Sequence, residues 1–145
     1  MADAGNNRLM LWHEAPRTHS TACDVLVGQA GSQRVEHNQG SHYPDAACLD
    51  MPYCGMLMGE LLVAADTANS RLLAWRIDQL TRHGVNAVAL AAQVDWIAKG
   101  DNRWRAAARD SVCWPYSVAV QQPGTLLVAD SGNHRVLRWP LAPGL

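Results

Sequence analysis

Gly124-Thr-Leu-Leu-Val-Ala-Asp130-Ser-Gly-Asn133-His-Arg135-Val-Leu-Arg-Trp139 reads as a β-hairpin. Leu126 to Ala129 is a short apolar run of strand length, Asp130 to Asn133 has the composition of a turn, and Arg135 to Trp139 alternates and ends on an aromatic ring. The chain contains this stretch three times. Leu61-Leu-Val-Ala-Ala65-Asp66-Thr-Ala-Asn69-Ser-Arg71-Leu-Leu-Ala-Trp75 is a second copy, and Ala2-Asp3-Ala-Gly-Asn6-Asn-Arg8-Leu-Met-Leu-Trp12 is a third that lacks the front. Asp3, Asp66 and Asp130 lie 63 and 64 residues apart, and Trp12, Trp75 and Trp139 repeat the same two intervals. A fixed period marks a repeat architecture, in which each unit buries its apolar face against its neighbours.

The turn residues have separate physical jobs. Asp at the first position is suited to accept hydrogen bonds from backbone N–H groups further along the turn. Small residues follow, and Asn closes the turn. Because Gly5 and Gly132 are matched by Ala68, the positive φ of a type I turn followed by a left-handed residue is expected on Asn69. Asp and Arg recur five residues apart, at 3/8, 66/71 and 130/135, which predicts an ion pair within each unit or to its neighbour. Residues repeated in every unit hold the unit together. Asp3, Asn6, Arg8, Trp12, Asp66, Asn69, Arg71, Trp75, Asp130, Asn133, Arg135 and Trp139 therefore read as a structural motif, with no catalytic residue among them.

Working outward, a further strand precedes each complete hairpin. Pro52-Tyr53-Cys-Gly-Met-Leu-Met58 and Pro115-Tyr116-Ser-Val-Ala-Val120 both open on Pro-Tyr, and Pro is tolerated at the first residue of a strand. The second then turns at Gln121-Gln-Pro-Gly124. A fourth strand follows each of the first two Trp residues, in Cys23-Asp-Val-Leu-Val-Gly28-Gln29 and Ala87-Val-Ala-Leu-Ala-Ala92-Gln93. The Ala and Leu content of 77–92 also suits a helix, but the matching stretch 24–28 is poor in helix formers, so 87–92 is expected as a strand. One domain over 1–145 results: a partial unit at 1–29, a full one at 52–93 and a partial one at 115–139, with 30–51 and 94–113 as inserted loops leaving on one face. The expected strand count is nine.

Composition narrows the function classes. A formal net charge of −1 disfavours a general polyanion binder. No apolar run approaches the roughly 18 residues of a membrane span. Met1-Ala-Asp-Ala-Gly-Asn6 has neither a basic start nor an apolar core, which favours the cytoplasm over secretion. Cys23, Cys48, Cys54 and Cys113 form no C-x-x-C pair, and Cys54 and Cys113, taken as matching positions, read as buried small hydrophobes. His134 beside Asp130 and Ser131 invites a triad reading, but Asn7 and Ser70 stand at its position in the other copies. His37 and His42, with Glu36 and Asp45 nearby, make too sparse a set for a metal. Neither a metal nor another cofactor is expected.

The pattern Gly-x-Leu-x-Val-Ala-Asp-x-x-Asn-x-Arg-Val, at its clearest in Ala129 to Val136 and Ala2 to Leu9, resembles the NHL repeat. The resemblance implies an all-β fold, a partial β-propeller of four-stranded antiparallel blades. Such propellers usually close with about six blades, and the period here exceeds the roughly 40–50 residues of a common blade. Nine strands fall short of the about 24 that six blades need. The chain is accordingly expected to join the remainder of a longer propeller or to self-associate. The implied function is a non-catalytic binding or assembly scaffold with a protein partner, a small molecule being the second option. Two alternatives follow from relatives of this family. One is a metal-dependent lyase or lactonase-like enzyme, against which the strands 53–58 and 116–120 carry no His, Asp or Glu. The other is RNA binding through the basic loop 99–109, where Lys99, Arg103, Trp104, Arg105 and Arg109 form a candidate ligand loop.

Overall fold

The computed structural model describes residues 1–121 and 124–140. Among these the chain is all-β: ten strands in three antiparallel sheets, joined by single 3-10 turns and irregular connections. The first sheet is β1 (Ala2–Asp3), β2 (Arg8–Leu11) and β3 (Val25–Val27) in that order. The middle sheet is β4 (Pro52–Met58), β5 (Leu61–Asp66), β6 (Arg71–Arg76) and β7 (Ala89–Ala91) in chain order. The last sheet is β8 (Pro115–Gln121), β9 (Thr125–Asp130) and β10 (Arg135–Pro140), with β9 central. The strand count is ten and not nine, because Ala2 and Asp3 pair with Leu9 and Arg8. Residues 87–92 do form a strand, though its paired part shrinks to Ala89–Ala91. Gln122 and Pro123, in the expected turn, lie outside the described residues. Among the described residues no helix is long and apolar enough to cross a membrane.

The apolar pattern follows from stacking. Leu62, Ala64, Leu73 and Trp75 point from the middle sheet toward Leu9, Val25 and Val27 of the first. Leu61, Val63, Ala65, Leu72 and Ala74 point the other way, toward Val118, Leu126 and Val128 of the last. A strand covered on both faces needs no polar alternation, and Leu61 to Ala65 is uninterruptedly apolar. β10 is covered on one face and alternates between half-buried and exposed residues. Each Leu or Val so buried contributes about 1.5–3 kcal/mol.

The repeated turn departs from expectation at one residue. The left-handed position is not Asn69 but the next one, with φ 55° at Asn7, 52° at Ser70 and 53° at His134. The backbone N–H of each bonds the carbonyl three residues back, at Ala4, Thr67 and Ser131. This leaves the preceding Asn helical, so that its side chain reaches back to the Asp three residues earlier. The cysteines also differ from expectation. All four are free; Cys48 is buried, while Cys54 and Cys113 are half-buried. Cys113 and Cys54 are not matching positions either. Cys113 donates its backbone N–H to Asp130 as Asp50 does to Asp66, whereas Cys54 faces Ser117 across the sheets.

Candidate functional site

The motif side chains are assembled by the hairpins and consumed there. Asp66 accepts Arg71 Nε at 2.6 Å and Asn69 Nδ2 at 2.9 Å on one oxygen, and the backbone N–H of Asp50 at 2.7 Å on the other. Both members of the ion pair are fully buried. Burial pushes the Asp66 carboxyl above its ordinary value, and the Arg71 charge opposes that. The remaining Arg71 nitrogens donate to the carbonyls of Trp96, Asp45 and Cys48. The Asp130 set repeats this with Arg135 at 2.6 Å, Asn133 at 2.8 Å and the N–H of Cys113 at 2.7 Å. Asp3 takes Arg8 at 2.8 Å and Asn6 at 2.9 Å. The backbone donors to Asp66 and Asp130 come from the preceding connection, whereas the sequence pointed to N–H groups of their own turns. The Trp indoles of Trp12, Trp75 and Trp139 each donate to a carbonyl, at Thr21, Val85 and Arg109.

The connections 30–51 and 94–113 carry the same contacts twice. Asn38 and Asn69 exchange amide hydrogen bonds at 3.2 and 2.8 Å, and Asn102 and Asn133 do so at 2.9 and 2.8 Å. Asn38 and Asn102 bond the carbonyls of Leu49 and Val112, and Asn102 follows Asn38 by 64 residues. At the start of each connection a buried glutamine pins the turn just left behind. Gln29 donates to the carbonyls of Asn7 and Glu36, and Gln93 to those of Asn69, Ser70 and Gly100. Each connection is therefore tied to the hairpin turn of the sheet it leaves and of the sheet it enters. The matching Gln residues were visible in the sequence, but the lone shared Asn was too slight a signal to extend the repeat across these segments.

The candidate ligand loop divides. Lys99 donates to the carbonyl of His42 and stands 5.9 Å from the Tyr43 ring centre. Arg103 is engaged with the carbonyl of Ala92 and with Asp110, and its hydrogen bond holds the Asp110 carboxyl below its ordinary value. Among the described residues Arg105 and Arg109 are exposed and make no side-chain hydrogen bond. Trp104 is 77% exposed. Its indole lies over Gly100, where an added Cβ would fall 2.1 Å from the ring and where φ is +108°. Only glycine fits there. Trp104 does not stand alone. Tyr43, Val94 and Ile97 are 61%, 73% and 61% exposed, and with Lys99, Arg103 and Trp104 they rim one open depression of about 390 Å³. Nothing in composition or spacing marks Tyr43, Val94 or Ile97. Tyr43 belongs to the first connection, the others to the second, and only the stacking brings them together. Among the described residues no three His, Cys, Asp or Glu side chains gather as a metal would require. Neither a scan against known protein families nor a search of curated proteins finds a match to this chain.

Proposed function

We propose that the chain is a segment of an NHL-type β-propeller acting as a non-catalytic binding scaffold, and that it recognises a protein partner through the patch of Tyr43, Val94, Ile97 and Trp104. The observation that carries this reading is the exposure of these four large apolar side chains around one depression, with Lys99 and Arg103 at its rim. Soluble surfaces rarely leave such groups clustered, and aromatic and Arg side chains are enriched where proteins dock. The fixed seating of Trp104 on Gly100 lowers the ordering cost of binding. The propeller reading draws support from sheets of up to four antiparallel strands stacked at a constant sequence period. The scaffold reading draws support from the motif, whose Asp, Asn and Arg atoms bond each other and backbone groups.

The cations of the depression favour a partner segment with an aromatic or aliphatic anchor flanked by acidic residues. Selection of displayed peptides on the wild-type chain tests this. Enriched acidic-aromatic sequences are expected to lose at least about tenfold in affinity on Trp104→Ala or Ile97→Asp, as for an interface hot spot. Enrichment indifferent to both substitutions would defeat the reading. Salt-sensitive binding of single-stranded RNA, abolished by Arg103→Ala with Arg105→Ala, would move the loop to nucleic acid instead.

A further inference from the structure

We propose that the depression beside Trp104 is a socket for a tryptophan side chain of the protein partner, with Gln93 Oε1 receiving the indole N–H. The inference rests on the docking reading above and names the anchor that the patch takes. The two connections share one backbone and differ in what they mount on it. Asn38, Gln39 and Gly40 are consecutive left-handed residues, with φ of 48°, 53° and 87°, and Asn102, Arg103 and Trp104 repeat this at 52°, 57° and 59°. A bulky residue is disfavoured in that conformation, and Gly40 holds the equivalent place 64 residues before Trp104. Gly100, under the ring, likewise stands where the first connection has Glu36. A Glu and Gly pair has thus been exchanged for a Gly and Trp pair. The exchange seats an exposed ring against the preference of the backbone, and the fold of the repeat does not require it.

The chemistry of the lining defines the occupant. Of the described residues around the depression only Gln93 is buried, at 8% exposure. Its Nε2 is occupied by the carbonyls of Asn69, Ser70 and Gly100. Among the described residues no group donates to its Oε1. Gln29 also has an Oε1 without a donor, but that atom is enclosed. Capping the turn therefore uses only the amide nitrogen, and at Gln93 the oxygen is left as the acceptor that the lining offers. Around it stand the rings of Tyr43 and Trp104 and the side chain of Ile97. The matching occupant has a flat apolar body and one donor, and the indole N–H is a donor only. A phenylalanine or leucine anchor brings no donor and would cover the amide oxygen without satisfying it. Lys99 and Arg103 line the same depression, and a cation is drawn to an indole face more than to that of tyrosine or phenylalanine.

The probe is a pentapeptide with a central tryptophan between two acidic residues on either side, titrated into the isotope-labelled chain and followed by amide NMR. Saturable shifts are expected at the Gln93 side-chain amide and at Ile97, Gly100 and Trp104. Replacing the tryptophan with benzothienylalanine puts sulfur in place of the N–H in a ring of the same shape. That peptide should bind at least about tenfold more weakly, because Gln93 Oε1 loses its donor. Phenylalanine and leucine peptides should bind no better than the benzothienyl one. In the chain, Trp104→Gly installs the residue that the first connection carries at φ 87°, and the folded variant should no longer bind. Equal affinity for the tryptophan and benzothienylalanine peptides, or tighter binding of a tyrosine, phenylalanine or leucine peptide, would overturn the socket and leave a docking surface that Trp104→Gly still abolishes. No saturable binding of any peptide, or binding unchanged by Trp104→Gly, would overturn the socket and the docking reading together.

Discussion

Asp66 and Arg71 are wholly buried, Asp130 is buried beside a part-exposed Arg135, and Asp3 and Arg8 both keep some solvent. One motif in three environments gives one substitution three costs. Asp66→Ala strands a guanidinium in the interior and should destabilise by about 3–5 kcal/mol. Asp130→Ala should cost about 1–3 kcal/mol, since Arg135 can turn to water, and Asp3→Ala should cost least. Urea midpoints of the three variants are the measurement, and equal midpoints would contradict the burial argument. The thiols make a second test. Burial pushes the Cys48 thiol up to about 12, so at pH 8 it is a thiol shielded from reagent. Alkylation should reach Cys23 in the native chain and Cys48 only after unfolding; early labelling of Cys48 would show the connection to be open. At this scale the pairing of Asp with Arg was legible from their constant spacing. What spacing could not reveal was that Asn69 serves through its side chain, because that depends on which carboxylate oxygen remains to be satisfied.

Hairpins and connections differ in how openly the sequence states them. β5 and β6 could be read directly, because an apolar run, a polar turn and an aromatic end are all local signals. The connections could not, because their repeat is kept in hydrogen bonds to backbone atoms, which constrain side chains little. Asn38 and Asn102 are the main side chains that this arrangement fixes. Asn38→Ala or Asn69→Ala leaves the other amide buried without its partner, at about 1–3 kcal/mol each. The double variant should cost clearly less than the two singles together. The same cycle on Asn102 and Asn133, which are less buried, should give smaller values. The left-handed turn residue offers a simpler test. His134 is exposed at φ 53°, and His134→Val should cost about 1–2 kcal/mol because a branched Cβ is crowded there. An unchanged melting temperature would mean that the turn had shifted its register.

Across the whole molecule the tied connections change where the chain is vulnerable. Residues 13–22 are exposed throughout, and few of their hydrogen bonds leave the segment, whereas 30–51 and 94–113 are bonded to sheets at both ends. Limited trypsin digestion should first cut after Arg17, ahead of Arg34, Arg105 and Arg109. A first cut within 94–113 would deny that the connection is tied down. The stack of sheets was legible as soon as the period was noticed, because Leu61 to Ala65 has no polar face and must be covered twice. The patch around Trp104 was half legible, in its Arg and Trp residues, and its aliphatic members depended on a partner segment more than fifty residues away in sequence. The ties have one more consequence, which concerns cutting and splicing. Since Asp50 and Cys113 hold equivalent carboxylates and Met51 and Trp114 precede equivalent prolines, excising residues 52–114 joins Met51 to Pro115 in phase. Asn38 is then delivered to Asn133, and the inward face of the first sheet to that of the last. Such a shortened chain should retain a β-sheet spectrum and a cooperative melt, whereas removal of 36–114 should abolish both, because Asn38 and Asp50, which would tie the connection to the last sheet, are lost with it.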